Sequence, residues 1–476
     1  MKTKESKGIT ILALVITIIV LLILAGITIS AITGNNGIIG NAGKAKEDTE
    51  IANEKEIVEK ATIQAMGNNK YGHIEESELQ EQLDKETGEG KTEASNIGDE
   101  FEVVFIESKR YYIVEEEGNV QGEYLIIEDK YPGDITVGKN GEELDGKAET
   151  EGGKPYEIWC IEDLAEWSQN YDAYQDAYIK LGRTLNFESR LSYVDGRVLN
   201  CNSIDELRDL LTDISGSGFM PIKNFSGTFD GQSNEIQNIY INKTGRAGLF
   251  ENINNAHIEK LGIDGKISGT EWVGGISGYI TGKVEINECY NKADIISKGE
   301  ENKAYVGGIC GHLGTGNLII INSYNAEQVN INGNVAGGII GMTGTASSIS
   351  YIYNCYNLGN INGITVGGII GFVYDHTRCI NVYSTGNITG TTIGGIVGAA
   401  LWNNASQNKF ENCYFLKSST VQQSAGKNIA VNATMLEELT NETIDELNTY
   451  ITNNSTLTSE WKKWTIENRN PQFMKK

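Results

Sequence analysis

Val273-Gly274-Gly275-Ile276-Ser277-Gly278 returns four times further down the chain. The copies are Val306-Gly307-Gly308-Ile309-Cys310-Gly311, Ala336-Gly337-Gly338-Ile339-Ile340-Gly341, Val366-Gly367-Gly368-Ile369-Ile370-Gly371 and Ile393-Gly394-Gly395-Ile396-Val397-Gly398. They stand 27 to 33 residues apart, and a fixed period of that order marks a solenoid or an array. Between the copies a small or aliphatic residue precedes Tyr, at Tyr290, Tyr324, Tyr356, Tyr383 and Tyr414, and Asn322, Asn354, Asn381 and Asn412 each stand two before the Tyr. A third element, G-N-I-x-G, falls at Gly359–Gly363 and Gly386–Gly390. Each period is too short and glycine-rich for a helical pair, and its apolar residues are mostly Ile and Val, which suit strands. Each is therefore read as one coil of a β-solenoid, with Ile, Val and Cys stacked inward at ~4.8 Å spacing. The glycine pairs belong where the chain bends sharply or backbone packs on backbone. Asn at a corner tolerates a left-handed conformation and can bond from coil to coil. A propeller is the rival architecture, but its blades need ~40 residues and WD-like marks.

Composition agrees. The 476 residues include 56 Gly and only 4 Pro, which fits many tight turns between short strands. A formal charge of −25 argues against nucleic acid and anionic lipid as partners. Much of the excess lies between Lys44 and Glu151, including Glu115-Glu116-Glu117, and reads as a solvated acidic stalk. The seven cysteines are widely spaced with no CxxC pair, so zinc is not expected and most are read as small core residues.

Residues Ile9 to Ile32 are almost wholly apolar. As a helix, 24 residues span ~36 Å, enough to cross a bilayer core of ~30 Å. Lys2, Lys4 and Lys7 precede the stretch, which leaves the short end in the cytoplasm and exports the rest. Lys44 to Met66 is helical in pattern, with Ile51, Val58, Thr62 and Ala65 on one face. A second helix begins near Ser77. Phe101–Ile106 and Arg110–Val114 read as paired strands, and a turn at Glu117-Gly118-Asn119 leads to a third.

Lys7-Gly8 followed by Ile9-Thr10-Ile11-Leu12-Ala13 resembles the prepilin-type leader of type IV pilins. The resemblance implies cleavage between Gly8 and Ile9 by a prepilin peptidase, methylation of the new terminus and retention of the helix as a single-pass anchor. A plain uncleaved signal anchor is the alternative. True pilins usually carry Glu where this chain has Ala13, which speaks against filament assembly. The repeated V-G-G-I-x-G resembles the GLUG motif of bacterial surface proteins, some of them immunoglobulin-cleaving metallopeptidases. The lead-in Ile158–Leu164, Lys180–Phe187 and Phe225–Gly231, and the closing segment Trp464–Pro471, resemble those proteins as well.

The expected fold class is mainly β: a right-handed-type β-solenoid of GLUG repeats, with an N-terminal transmembrane α-helix and a small α+β pilin-head-like region. The expected units are a leader at 1–8, a transmembrane helix at 9–32, and an amphipathic helix with a small α+β head at 33–130. A linker at 131–153 follows, then a lead-in and cap at 154–246, the solenoid at 247–416 and a C-terminal cap at 417–476. Helices at Ile161–Tyr171, Leu436–Leu439 and Ile444–Tyr450 should close the open ends of the stack, and Thr434 with Glu437 has capping-box spacing.

The metallopeptidase relatives need H-E-x-x-H to hold zinc and a general base. Here His73, His257, His312 and His376 include no i, i+4 pair and none is followed by Glu. A β-helix carbohydrate enzyme would align carboxylates on one face. Its candidates are Asp230, Asp264, Asp294 and Asp375-His376, with Gly311-His312 beside them, and none recurs at a matching position. The expected function is thus non-enzymatic display or adhesion at a bacterial surface, of Gram-positive type, with the bulk of the chain extracellular. No cofactor and no metal are expected. A host or matrix glycan or protein is the candidate ligand class, and a minor pilin or pseudopilin in a filament is the runner-up. The C-terminus shows neither an LPxTG signal nor a hydrophobic tail, so anchorage is assigned to the N-terminus.

Overall fold

The computed structural model describes residues 38–187 and 218–474, apart from short breaks at 70–71, 97–99, 109, 126–133, 140, 300–303, 402–406, 419, 457 and 468–469. The leader, the Ile9–Ile32 span, the Gly8/Ile9 processing site and Cys201 lie outside the described residues. Among the described residues no helix is long and apolar enough to cross a membrane. The chain divides into two compact units near residue 123.

The first unit is α+β. Helix α1 (Ile38–Asn68) and α2 (Glu76–Thr87) pack against strands β1 (Thr92–Asn96), β2 (Glu100–Phe105), β3 (Arg110–Glu115) and β4 (Val120–Leu125), which form one sheet in that order. The pairs β1–β2 and β2–β3 are antiparallel. Val58, Ala61 and Ala65 recur at helical spacing on α1 and meet Leu79, Leu83, Phe101, Val103, Tyr112 and Val114 in the core. Edge strand β1 was not expected, because Thr-Glu-Ala-Ser-Asn carries no alternating apolar pattern. It is held by Gln80 of α2, whose amide donates to Thr92 O at 3.0 Å while its oxygen accepts from Ala94 N at 2.6 Å.

The second unit is the solenoid. Five parallel strands, from Val273–Gly274 to Thr392–Gly394, form one column. Ala247 pairs with Val273 to add a sixth coil. The registers join the same signature position in successive coils: Val306, Ala336, Val366 and Ile393 are neighbours. Their side chains enter one continuous core with Ile276, Ile309, Ile339, Ile369 and Ile396, and with Cys289, Cys310, Cys355, Cys379 and Cys413. Each fully buried Ile contributes about 1.5–3 kcal/mol. All six described cysteines are buried and free, in keeping with a packing role.

The glycine pair serves backbone approach. Neither Gly367 nor Gly368 takes a positive φ. A Cβ on Gly367 would meet the carbonyl oxygen of Ile370, and one on Gly368 the carbonyl oxygen of Gly395 and the Ser384 hydroxyl, all well under 3.0 Å. The asparagine corner takes the left-handed conformation: Asn322, Asn354, Asn381 and Asn412 have φ of 50°, 51°, 60° and 52°. Their side chains form a ladder, each Nδ2 donating to the preceding coil. Asn322 bonds Asn287 at 3.0 Å, Asn354 bonds Asn322 at 2.8 Å, Asn381 bonds Asn354 at 2.7 Å and Asn412 bonds Asn381 at 2.5 Å. A second ladder joins Asn291, Asn325 and Asn357 at 2.8 Å per step.

Helix α3 (Ile161–Gln169) closes the N-terminal end. Asp163 accepts from the backbone N–H of Trp159 and Cys160 at 2.7 and 3.2 Å. Trp167, fully buried, lies 5.1 Å from Phe225 and Phe229. Residues 134–153, read above as linker, send Ile135 into this core.

The C-terminal segment departs from expectation. Thr434–Leu436 is a strand paired with Tyr414–Leu416, so Thr434 caps no helix. The helix is α4 (Asn441–Asn453), capped by Thr440, whose hydroxyl accepts from Thr443 N at 3.3 Å. Its Ile444, Leu447 and Ile451 lie with Trp461 and Trp464 against Tyr353, Tyr356, Tyr383 and Tyr414. Tyr356, Tyr383 and Tyr414 come from successive coils, so α4 and the hairpin Trp464–Phe473 run along the flank of the stack instead of across its end. The flank needs the cover, because a column of large aromatic rings would otherwise face water.

Candidate functional site

The carboxylates singled out in the sequence serve separate local roles. Asp230 is buried, accepts from Gln232 N at 2.9 Å and faces Lys260 Nζ at 3.9 Å; burial pushes its carboxyl above the usual range. Asp294 accepts from the backbone and side chain of Asn330, one coil on, at 2.8 and 3.0 Å. Asp264 is half-buried in the strand His257–Gly269. Asp375 is buried beside His376, which takes a φ of 50° at a corner. Asp230 pairs in register with Glu259 and Lys180, and Asp294 with Lys266. The stack brings no two of these aspartates together, and among the described residues no group of His, Cys, Asp and Glu could hold a metal ion.

His312 is the exception. It belongs to a cluster the sequence reading missed. In the second and third coils the residue preceding the glycine signature and the residue following it lie side by side: Trp272 with Tyr279 and Tyr305 with His312. The rings of Trp272 and Tyr279 stack at 4.5 Å; His312 lies 4.7 Å from Trp272 and 5.2 Å from Tyr305. From the first coil Arg246 lays its guanidinium over both rings, 4.5 Å from the Trp272 centroid and 4.1 Å from that of Tyr279. Such cation–π contacts contribute roughly 0.5–2 kcal/mol each. Trp272, Tyr279, Tyr305 and Arg246 are half-exposed, whereas His312 is 8% exposed with neither ring nitrogen bonded. Burial, reinforced by the charge of Arg246, pushes its pKa down to about 4. The imidazole is therefore neutral near pH 7.

The legible signal was variation. In the next three coils the same two positions hold Val335/Met342, Thr365/Phe372 and Thr392/Ala399. Repeats compared for what they share hide the positions where they differ.

A concavity of about 480 Å³ opens between the lead-in and the first coils, lined by Asp176, Tyr178, Thr228, His257, Lys283 and Glu285. Its polar groups are mixed in sign. The tyrosine column is closed by contrast: Tyr290, Tyr324 and Tyr356 stack at 5.0 and 4.6 Å, and Phe473 packs 5.0 Å from Tyr356.

No protein-family model and no curated protein matches the chain. Among solved structures, a "putative immunoglobulin A1 protease" from Bacteroides ovatus is 21% identical over 70% of this chain and 95% of its own, with a TM-score of 0.45. Another, called IgA1 Protease, is 16% identical over 72% of this chain and 28% of its own, with a TM-score of 0.36.

Proposed function

We propose that the chain is a non-enzymatic, membrane-anchored surface protein of the GLUG-repeat kind, whose solenoid presents a binding face outside a bacterial cell. The observation that carries this reading is the contrast between flanks: one is sealed by the C-terminal strap, while the other leaves an aromatic–arginine cluster open. The dispersed aspartates support a structural role for the acidic groups. The apolar span from Ile9 to Ile32 supplies the anchor and Gly8–Ile9 the prepilin-type processing site.

Two measurements test it. N-terminal mass spectrometry of the membrane fraction should find a mature protein starting at Ile9, and Gly8→Val should stay uncut. A binding screen of the full chain against glycans and matrix proteins should find a ligand with no turnover of it. Retention of Met1–Lys7 removes the processing step, and cleavage of a bound ligand removes the non-enzymatic reading. A minor pilin is the second reading, favoured by α1 packing on an antiparallel sheet and opposed by Ala13. Filaments on the cell surface that contain this chain would favour it.

A further inference from the structure

Arg246 is held by rings and not by charge. The chain carries 64 Asp and Glu against 39 Lys and Arg, and several nearby lysines find carboxylates. Lys243 pairs with Glu251, Lys260 with Glu259 and Lys292 with Glu235. The Arg246 guanidinium has no such partner among the described residues. Stacking on Trp272 and Tyr279 orients it instead, leaving its N–H edge available for a planar, bidentate acceptor. Beneath this layer sits the unbonded His312.

We infer that Arg246, Trp272, Tyr279, Tyr305 and His312 form a subsite for a carboxylate-bearing sugar, with the sugar acid on Arg246 and the sugar ring against the exposed edges of the indole and phenol rings. The inference rests on the binding-face reading above and names its ligand class. Three observations converge on it. The unpaired, stacked arginine selects an anion of carboxylate shape. Half-exposed Trp and Tyr offer apolar surface with a polar edge, as an amphipathic pyranose requires. Arg246, Trp272 and Tyr305 come from consecutive coils, which repeat at ~4.8 Å, a length of the order of one sugar ring. An extended peptide presents same-side groups only every ~6.6 Å, so an acidic peptide matches the ladder less well.

Packing does not demand these residues. The equivalent positions in later coils are Val, Thr, Met, Phe and Ala, and the coil closes the same way. That allows variants compatible with the coil to be borrowed from the protein itself. Trp272→Thr and Tyr305→Thr copy Thr365 and Thr392, while Arg246→Ala removes the guanidinium and Arg246→Lys keeps the charge but loses the fork.

The test is binding of the full chain in detergent to free-acid oligogalacturonides and sialyllactose, against methyl-esterified oligogalacturonides and lactose. The expected result is at least tenfold preference for the free acids. Arg246→Ala and Trp272→Thr should each lose tenfold or more, Arg246→Lys should recover only part, and every variant should still unfold cooperatively, with melting lowered by no more than the lost ring and cation–π contacts account for. Equal binding of acid and ester, or full binding by Arg246→Ala, overturns the subsite. So does a wild type that binds an acidic peptide but no sugar, although the binding-face reading would survive that outcome. A chain that binds neither glycans nor proteins overturns both.

Discussion

Along one flank of the solenoid the same side chain recurs coil after coil: Asn322, Asn354, Asn381 and Asn412, each in left-handed backbone and each bonded to the next. Along the other, the pair bracketing the glycine signature changes from Trp272/Tyr279 through Val335/Met342 to Thr392/Ala399. The first flank lies under the C-terminal strap and the second is open. Repetition follows from stacking, since a residue that must bond its own copy above and below has little choice. Variation is permitted where no side chain has to bond its own copy, and there the molecule can place a ligand site without disturbing the stack.

The repeated interior should be least forgiving. Gly368→Val drives a branched side chain into the carbonyl oxygen of Gly395 and the hydroxyl of Ser384. Because the obstacle is backbone, the cost should exceed the ~1–3 kcal/mol typical of overpacking. Hydrogen exchange should show protection lost across residues 336–398, spreading by fraying to later coils. Ser347→Val, at an exposed position between signatures, should stay within about 0.5 kcal/mol of wild type. Equal tolerance of both changes would break the close-approach account.

The strap comes next. Trp464 is 1% exposed, and its Nε1 donates to Asn354 Oδ1 at 2.6 Å. Asn322 Oδ1 accepts from Lys462 N at 2.8 Å, and Lys462 pairs with Glu288 at 2.8 Å. Trp464→Ala should cost about 3–5 kcal/mol in denaturant unfolding. Limited proteolysis should then cut first between residues 440 and 473.

The open flank predicts a pH dependence. His312 has its folded pKa lowered to about 4 from 6.5, so between these values the unfolded chain binds more protons. Stability should be whole above pH 6.5 and fall as the pH drops toward 4, by on the order of 2–3 kcal/mol. His312→Met, which copies Met342 of the next coil, should remove that component. Chemical denaturation at pH 7 and pH 4.5 for both proteins checks this, and an unchanged slope in the variant would sink it.

The coil, its period, its inward residues and its asparagine corner were legible because each repeats, and five copies make a faint pattern plain. The strap was misplaced because a capping spacing at Thr434 and Glu437 is a local signal, overridden here by the pairing of Thr434–Leu436 with Tyr414–Leu416. Strand β1 escaped notice because its restraint comes from Gln80, a residue of α2, and not from its own pattern. The Arg246 cluster is assembled from three coils at positions that differ in each, so no spacing rule points to it.

The smallest effect separates two contributions within the asparagine corner. Asn381 has a φ of 60°, is fully buried, donates to Asn354 at 2.7 Å and accepts from Asn412 at 2.5 Å. Asn381→Gly keeps the left-handed backbone at no steric cost but deletes both ladder bonds, so that Asn354 Oδ1 keeps only its bond from Trp464 Nε1 in the strap and the ladder is cut before Asn412. Asn381→Ala deletes the same bonds and adds a Cβ in left-handed conformation, which costs roughly 1–2 kcal/mol. Glycine also loosens the unfolded chain, which offsets part of that gap by ~0.4–1 kcal/mol. Denaturant unfolding should therefore find the alanine variant less stable than the glycine variant by about 1 kcal/mol, with both below wild type. An alanine variant equal to or better than glycine would mean that the corner keeps asparagine for its ladder alone, and that the left-handed turn could be made by any small residue.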